Sequence, residues 1–287
     1  MTKVLVLGGR GMIGAGVVAA LGQRGVEVVR SSRNPADPQT IQFEVGKTSI
    51  ASVLANLEPG DFVFNAIGLI KQRINEDLAA DRLRAVQLNA DFPYRLAAAA
   101  ASAGVNVIQV ATDCVYEGTA GGYTESSTQD ATDVYGKSKS LGEVPAPNVM
   151  HIRCSVIGPE TQGGFSLLEW VRKQPQGASL NGYTNHIWNG VTASAFGQII
   201  AGIVLNHEFT PGVQHLVPAD QVSKHDLIQL IARRLNRIDL SFTPTTTAVG
   251  VDRTLATANP DANQRLWTNA GYDSVPTVAH LVESMAL

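Results

Sequence analysis

Tyr135 and Lys139 stand four apart in Val134-Tyr135-Gly136-Lys137-Ser138-Lys139, a segment of helical composition. That spacing puts both side chains on one helix face, with about 5–6 Å between their Cβ atoms. A free phenol has a pKa near ~10, too high to move protons readily at neutral pH. An ammonium about 4 Å away contributes roughly 4 kcal/mol at an effective dielectric of 20, enough to lower that pKa by about three. A phenol tuned in this way suits carbonyl reduction: it gives its proton to the oxygen while a hydride from a nicotinamide reaches the carbon. The lysine can also hold the nicotinamide ribose. Taken alone, such a pair is more often a chance spacing on a solvated helix, so its weight depends on its company. Upstream, the run Val105–Ala111 ends in Thr112-Asp113-Cys114-Val115-Tyr116. A hydroxyl there emerges at the C-terminal edge of a buried parallel strand, where ligands bind. Thr112 can hydrogen-bond a substrate oxygen and stabilise a developing alkoxide, and Asp113 either orients substrate or caps the loop.

The chain opens on Lys3-Val4-Leu5-Val6-Leu7, which breaks into Gly8, Gly11 and Gly14 and runs into a helix-forming stretch. Glycines so spaced between strand and helix let a dinucleotide pyrophosphate approach main-chain N–H groups at the helix N-terminus. Arg10, Met12 and Ile13 belong to the same loop and first turn. About 20 residues further on, an NAD site offers a carboxylate to the ribose hydroxyls. This chain has Arg30-Ser31-Ser32-Arg33-Asn34 at that place. With no acid, two arginines and Arg10 as a third cation, the site is read as accepting a 2′-phosphate, hence NADPH in preference to NAD. Phe43-Glu44-Val45 closes a third strand, with Glu44 and Val45 toward the adenine. Asn65-Ala66-Ile67-Gly68 ends a fourth, with Ala66, Ile67 and Gly68 beside the nicotinamide ribose. Asn89 is read as bonding a neighbouring main chain or a water, or as a plain mid-helix polar residue.

Positioning these groups requires a parallel sheet. Strand-like runs at 3–7, 26–30, 41–45, 61–66, 105–111 and 149–154 are mostly continuous in Val, Ile, Leu and Phe, as in strands covered on both faces. Helical stretches at 12–24, 49–57, 78–102 and 134–143 lie between them, and βα alternation implies right-handed crossovers. A helix near 192–206 and a strand over Val213–Val217 resume the pattern. Residues 241–247 read as a surface connection, and Val275-Pro276-Thr277 as the start of the last helix, with proline in its first turn. The fold class is α/β: a Rossmann-type doubly wound sheet over 1–158, completed by about 192–218, with a smaller substrate-binding lobe from 159–191 and 219–287.

Taken together, Gly8, Gly11, Gly14, Thr112 and Tyr-x-x-x-Lys resemble the extended short-chain dehydrogenase/reductase family over nearly the whole chain. Within it the chain looks most like the dTDP-4-dehydrorhamnose reductase branch, through Ala111–Gly118, Tyr123-Thr124-Glu125, Val134–Lys139 with Gly142-Glu143, and Ile152–Gly158. The resemblance implies Thr112, Tyr135 and Lys139 as the catalytic set, NAD(P)H as hydride carrier, and a nucleotide-sugar substrate held by the C-terminal lobe. It further implies a reductase of a 4-keto nucleotide sugar in deoxysugar and surface polysaccharide synthesis. An epimerase or dehydratase, or a non-catalytic regulatory subunit, are the alternatives. The lobe matches the branch loosely. In it Trp188 and Asn189 are candidate substrate contacts, Trp188 stacking on a base or sugar or packing between lobes. Arg253 either meets a diphosphate or is solvated, and Lys71 and Arg73 are read as surface charge. Family habit suggests a homodimer.

With 287 residues, 44% of them hydrophobic, the chain can bury about 75% of its unfolded surface. A net charge of -3 with 16% charged residues offers no basic stripe for nucleic acid. Two cysteines and six scattered histidines lack metal-ligand spacing, so neither a metal nor a disulfide is expected. No apolar run approaches the ~20 residues of a membrane span, and the N-terminus has no signal pattern, so a cytoplasmic protein is expected.

Overall fold

Alternate residues of the first strand face opposite layers: Val4 and Val6 join one buried apolar cluster, Leu5 and Leu7 another. The structure, a computed structural model, describes residues 2–34, 40–160 and 164–287. In chain order the strands are β1 (Lys3–Leu7), β2 (Glu27–Ser32), β3 (Thr40–Gln42), β4 (Phe62–Asn65), β5 (Asn106–Ala111), β6 (Val149–Arg153), β7 (Val156–Ile157), β8 (Ser179–Tyr183), β9 (His186–Trp188), β10 (Val191–Thr192), β11 (Gly212–His215), β12 (Val222–Ser223), β13 (Ser241–Thr245) and β14 (Val251–Asp252). The helices are α1 (Met12–Gln23), α2 (Ile50–Leu54), α3 (Ala79–Val86), α4 (Phe92–Ser102), α5 (Val134–Leu141), α6 (Leu167–Arg172), α7 (Ala193–Leu205), α8 (Lys224–Arg234), α9 (Pro260–Asn269) and α10 (Val278–Glu283).

Seven strands form one sheet in the order β11-β6-β5-β4-β1-β2-β3, every neighbouring pair parallel. The order reverses between β1 and β4, which opens the crevice that α/β sheets use for ligands. One layer packs Val17 and Leu21 of α1 with Phe196, Ile199 and Ile200 of α7. The other packs Val53 and Leu54 of α2 with Phe92 and Leu96 of α4. A separate core, containing Leu168, Leu180, Trp188, Leu227, Ile231 and Val282, belongs to the smaller lobe. The stretch after residue 219 divides between the two. Leu266 and Trp267 of α9 lie in the α1–α7 layer, where Trp267 Nε1 donates to the Val217 carbonyl at 2.9 Å.

Three local readings change. The helix expected over 78–102 is interrupted by a widened π turn over Gln87–Asp91 before α4 begins. Pro93 can donate no N–H there, and Asn89 turns inward to accept from Leu69 N at 2.7 Å and donate to Leu69 O at 3.0 Å. Most of the supposed connection at 241–247 is β13, a parallel partner of β8. The last helix starts at Val278 with Thr277 as its cap, accepting from His280 N, so Pro276 precedes the cap instead of occupying the first turn. No helix among the described residues is long and apolar enough to cross a membrane.

Candidate active site

Where β1 gives way to α1, Gly8 adopts φ +78°, a conformation L side chains rarely take, and its N–H donates to the buried Ser31 Oγ at 3.2 Å. A Cβ on Gly14 would lie 2.3 Å from the Gly8 carbonyl oxygen. Helix and loop can therefore meet only if residue 14 is glycine. Gly11, the N-cap residue of α1, supplies no side-chain cap, so first-turn N–H groups remain open to an anion. This loop floors a cavity of about 700 Å³ lined by Gly8, Arg10, Gly11, Met12, Ile13, Gly14, Ser32, Arg33, Glu44, Val45, Ala66 and Ile67. Depth, an uncapped helix terminus and a cradle that a Cβ would fill all fit a dinucleotide. Gly68, placed beside the ribose by the sequence, does not line it; a Cβ there would meet Asn89 Oδ1 at 3.2 Å.

The basic end of β2 is only partly as read. Arg33 and Arg10 line the cavity, but Arg30, inside β2, crosses to β3, where its Nε donates to Thr40 Oγ1 at 3.0 Å. Phe43 and Glu44 follow β3 instead of closing it. Residues missed in the sequence also contribute: Ser31, and from the opposite wall Arg84 and Arg95, on exposed helix positions with no motif around them. Arg73, read as surface charge, lines the same cavity. Lys71 pairs with Asp133 at 2.7 Å.

One strand from this cavity, β5 delivers Thr112, whose Oγ1 accepts from Cys114 N at 3.2 Å and so caps the turn Asp113–Val115. Helix α5 starts on Asp133, which accepts from Gly136 N at 2.7 Å. It carries Tyr135 next to Gly136, which packs so closely on the turn after β5 that a Cβ there would lie 2.4 Å from the Cys114 carbonyl oxygen, and buries Lys139, whose Nζ donates to the Val110 carbonyl at 2.9 Å. The electrostatics correct the sequence reading. Burial, then the neighbouring Cys114, raise the Tyr135 pKa, and these outweigh any lowering by a nearby cation. The ammonium is engaged by the strand carbonyl, and burial lowers its own pKa from 10.5 to about 8. A phenol in that state keeps its proton, which suits a donor to a ketone better than a base.

Asp113 sits at the same edge. Burial raises its pKa, opposed by Lys224 and Arg253. Both cations come from the smaller lobe. Lys224 begins α8, its Nζ 5.4 Å from the Trp188 ring centroid; nothing in the sequence around it signals a site, and the antiparallel pairing of β12 with β9 brings it there. Arg253 donates to the Tyr116 carbonyl at 2.8 Å and the Glu117 carbonyl at 2.9 Å, holding the loop after β5. The two other lobe candidates are structural. Trp188 is 4% exposed and donates to Ser155 Oγ at 2.8 Å, leaving no open face for a base. Both ends of the Asn189 amide are taken by the Leu255 backbone, at 2.7 and 3.0 Å.

The sequence matches the family model described as the RmlD substrate binding domain over residues 1–263. The spore coat polysaccharide biosynthesis protein SpsK of Bacillus subtilis (strain 168) is 29% identical over 147 residues, 50% of this chain and 47% of that protein. The chain thus spans about half the length of the curated relative it matches. Among solved structures, a dTDP-4-dehydrorhamnose reductase of Clostridium acetobutylicum has a TM-score of 0.77 at 19% identity, over 99% of this chain and 98% of that one. The dTDP-4-dehydrorhamnose reductase of Bacillus anthracis, solved in complex with NADP, also gives 0.77, at 16% identity over 99% of both chains. At such identities the likeness is one of fold.

Proposed function

Because the chain belongs to the family of the RmlD substrate binding domain, we propose that it is an NADPH-dependent reductase of a 4-keto nucleotide sugar, serving polysaccharide synthesis. One observation carries the reading. The glycine-floored cavity reaches Ala66 and Ile67 at the end of β4, and Thr112 stands at the end of the neighbouring β5, onto which α5, the helix of Tyr135 and Lys139, is tied by the Lys139 bond to the Val110 carbonyl. A dinucleotide cradle and a protonated phenol therefore share one sheet edge.

Glycines 8, 11 and 14 with the α1 N-terminus would hold the pyrophosphate, and Arg10, Ser32 and Arg33 the adenosine 2′-phosphate. Bound there, reduced nicotinamide supplies a hydride for the ketone carbon. Thr112 donates a hydrogen bond to the ketone oxygen, and Tyr135 delivers its proton as charge develops there. Lys139, as an ammonium, stabilises that developing charge and binds ribose hydroxyls. From the smaller lobe, Lys224 and Arg253 set a positive field beside Asp113 for the anionic nucleotide portion.

The test is loss of NADPH absorbance with purified protein and a panel of 4-keto sugar nucleotides. Turnover with one member, abolished in Tyr135→Phe while NADPH binding persists, supports the reading. NADPH bound without turnover across the panel contradicts it.

A further inference from the structure

A row of polar side chains crosses the buried sheet, and the scheme above does not use it. Asn65 of β4 stands opposite Gln109 of β5, and Gln109 opposite His151 of β6. Register partners share a face, and here the three are 0, 3 and 1% exposed. Two residues back along the same strands the row is Val63, Val107 and Val149, members of the α2–α4 core. The face is thus built for apolar residues, and each amide in it loses its water and must find partners.

The bonds run one way only. The Ile67 main-chain N–H can only donate, and it donates to Asn65 Oδ1 at 3.0 Å. That leaves Nδ2 as the end of Asn65 facing Gln109, whose Oε1 accepts at 2.8 Å. Gln109 must then turn its Nε2 the other way, to the Val110 carbonyl oxygen at 3.3 Å. Lys139 Nζ donates to that same oxygen at 2.9 Å. His151 stays out of the chain, its Nε2 donating to the Val144 carbonyl at 3.0 Å. Hydrogen bonds therefore join Ile67, at the wall of the dinucleotide cavity, to the ammonium on α5.

We propose that Gln109 is a positioning residue of the reaction: its amide occupies one lone pair of the Val110 oxygen and confines Lys139 Nζ to the other. A carbonyl oxygen has two such directions. With one filled, the bond from Nζ takes a single course, and the two remaining ammonium N–H groups keep a fixed direction instead of sweeping around the anchor. Asn65 fixes which end of the Gln109 amide is presented. The inference rests on the reductase reading, in which Lys139 acts as an ammonium.

Gln109→Met keeps the length of the side chain and removes both polar ends. Since it also strands Asn65 Nδ2, the double variant Asn65→Ser/Gln109→Met is measured beside it, the serine hydroxyl accepting from the Ile67 N–H as in an ST turn. Cofactor-free protein labelled with ¹³Cε-lysine reports the Lys139 order parameter by NMR relaxation, the signal assigned by its loss in Lys139→Met. The wild-type value is expected in the rigid range, about 0.85, and that of either folded variant below about 0.6. With a sugar nucleotide that the wild type turns over, kcat should fall about ten-fold while its KM stays within about two-fold, the mark of a misplaced group that acts in the transition state. A Lys139 as ordered in the folded double variant as in the wild type overturns the proposal, as does an unchanged kcat, and either leaves Gln109 a purely structural role. The relaxation measurement needs no substrate, so failure of the reductase reading shows separately, as absence of wild-type turnover.

Discussion

Replacing Lys139 by methionine should stabilise the cofactor-free protein while abolishing turnover. The charged lysine, 9% exposed, has its pKa lowered from 10.5 to about 8 by burial, a penalty of about 3 kcal/mol on the ammonium in the folded state. Methionine escapes it. The loss on the other side is one hydrogen bond to the Val110 carbonyl, about 1 kcal/mol, because Gln109 Nε2 still donates to that oxygen at 3.3 Å. The net gain at pH 7 is about 2 kcal/mol, or roughly 4 °C in Tm for a chain of this size. The sign with pH is a further check. Below the folded value of about 8 both folded and unfolded lysine carry the proton and the penalty is present in full. Between there and 10.5 the unfolded chain alone holds it, so wild-type stability rises with pH and the gap to the variant closes. Calorimetry from pH 7 to pH 9.5 reads both. A Tm for Lys139→Met below wild type at pH 7, or a gap that does not change with pH, would refute the reasoning.

Three other outcomes follow from the same geometry. Gly14→Ala places a methyl 2.3 Å from the Gly8 carbonyl oxygen, and NADPH affinity by fluorescence titration should fall at least about 100-fold, near 3 kcal/mol; unchanged affinity would mean the pyrophosphate binds elsewhere. Arg33→Ser, at the cavity wall, should raise the KM for NADPH by about ten-fold and leave that for NADH within about two-fold. Equal effects on both would remove the 2′-phosphate assignment. Trp188→Leu, in the lobe core, should cost about 3 kcal/mol in urea unfolding with NADPH affinity intact; a stable variant with a raised KM for the sugar nucleotide would instead make it a ligand platform.

The sheet was legible because its central strands β1, β4, β5 and β6 are short, largely apolar runs bounded by turn residues and buried on both faces. The glycine loop was legible because its spacing has one steric purpose. What escaped depended on side chains choosing among several partners. Asn89 looks like any polar residue in an alanine-rich helix until its amide meets the Leu69 backbone from within the widened turn. Arg30 and Arg33 are equal in the sequence, but only the one beyond the strand end turns into the cavity. Tyr135 and Lys139 share a helix face, yet spacing carries no information about burial, and burial rather than the ammonium dominates the phenol. Lys224 reaches the site through a strand pairing distant in sequence, which no local pattern records.

The central claim is that a ketone, a hydride and the Tyr135 proton meet at the end of β5. NADPH carrying deuterium at the transferable position of its nicotinamide, incubated with the protein and a 4-keto sugar nucleotide, tests it most directly by mass spectrometry of the product. The account predicts one deuterium on the former carbonyl carbon, and none when Tyr135→Phe replaces the wild type. A product with no deuterium, or the same yield from Tyr135→Phe, would contradict it.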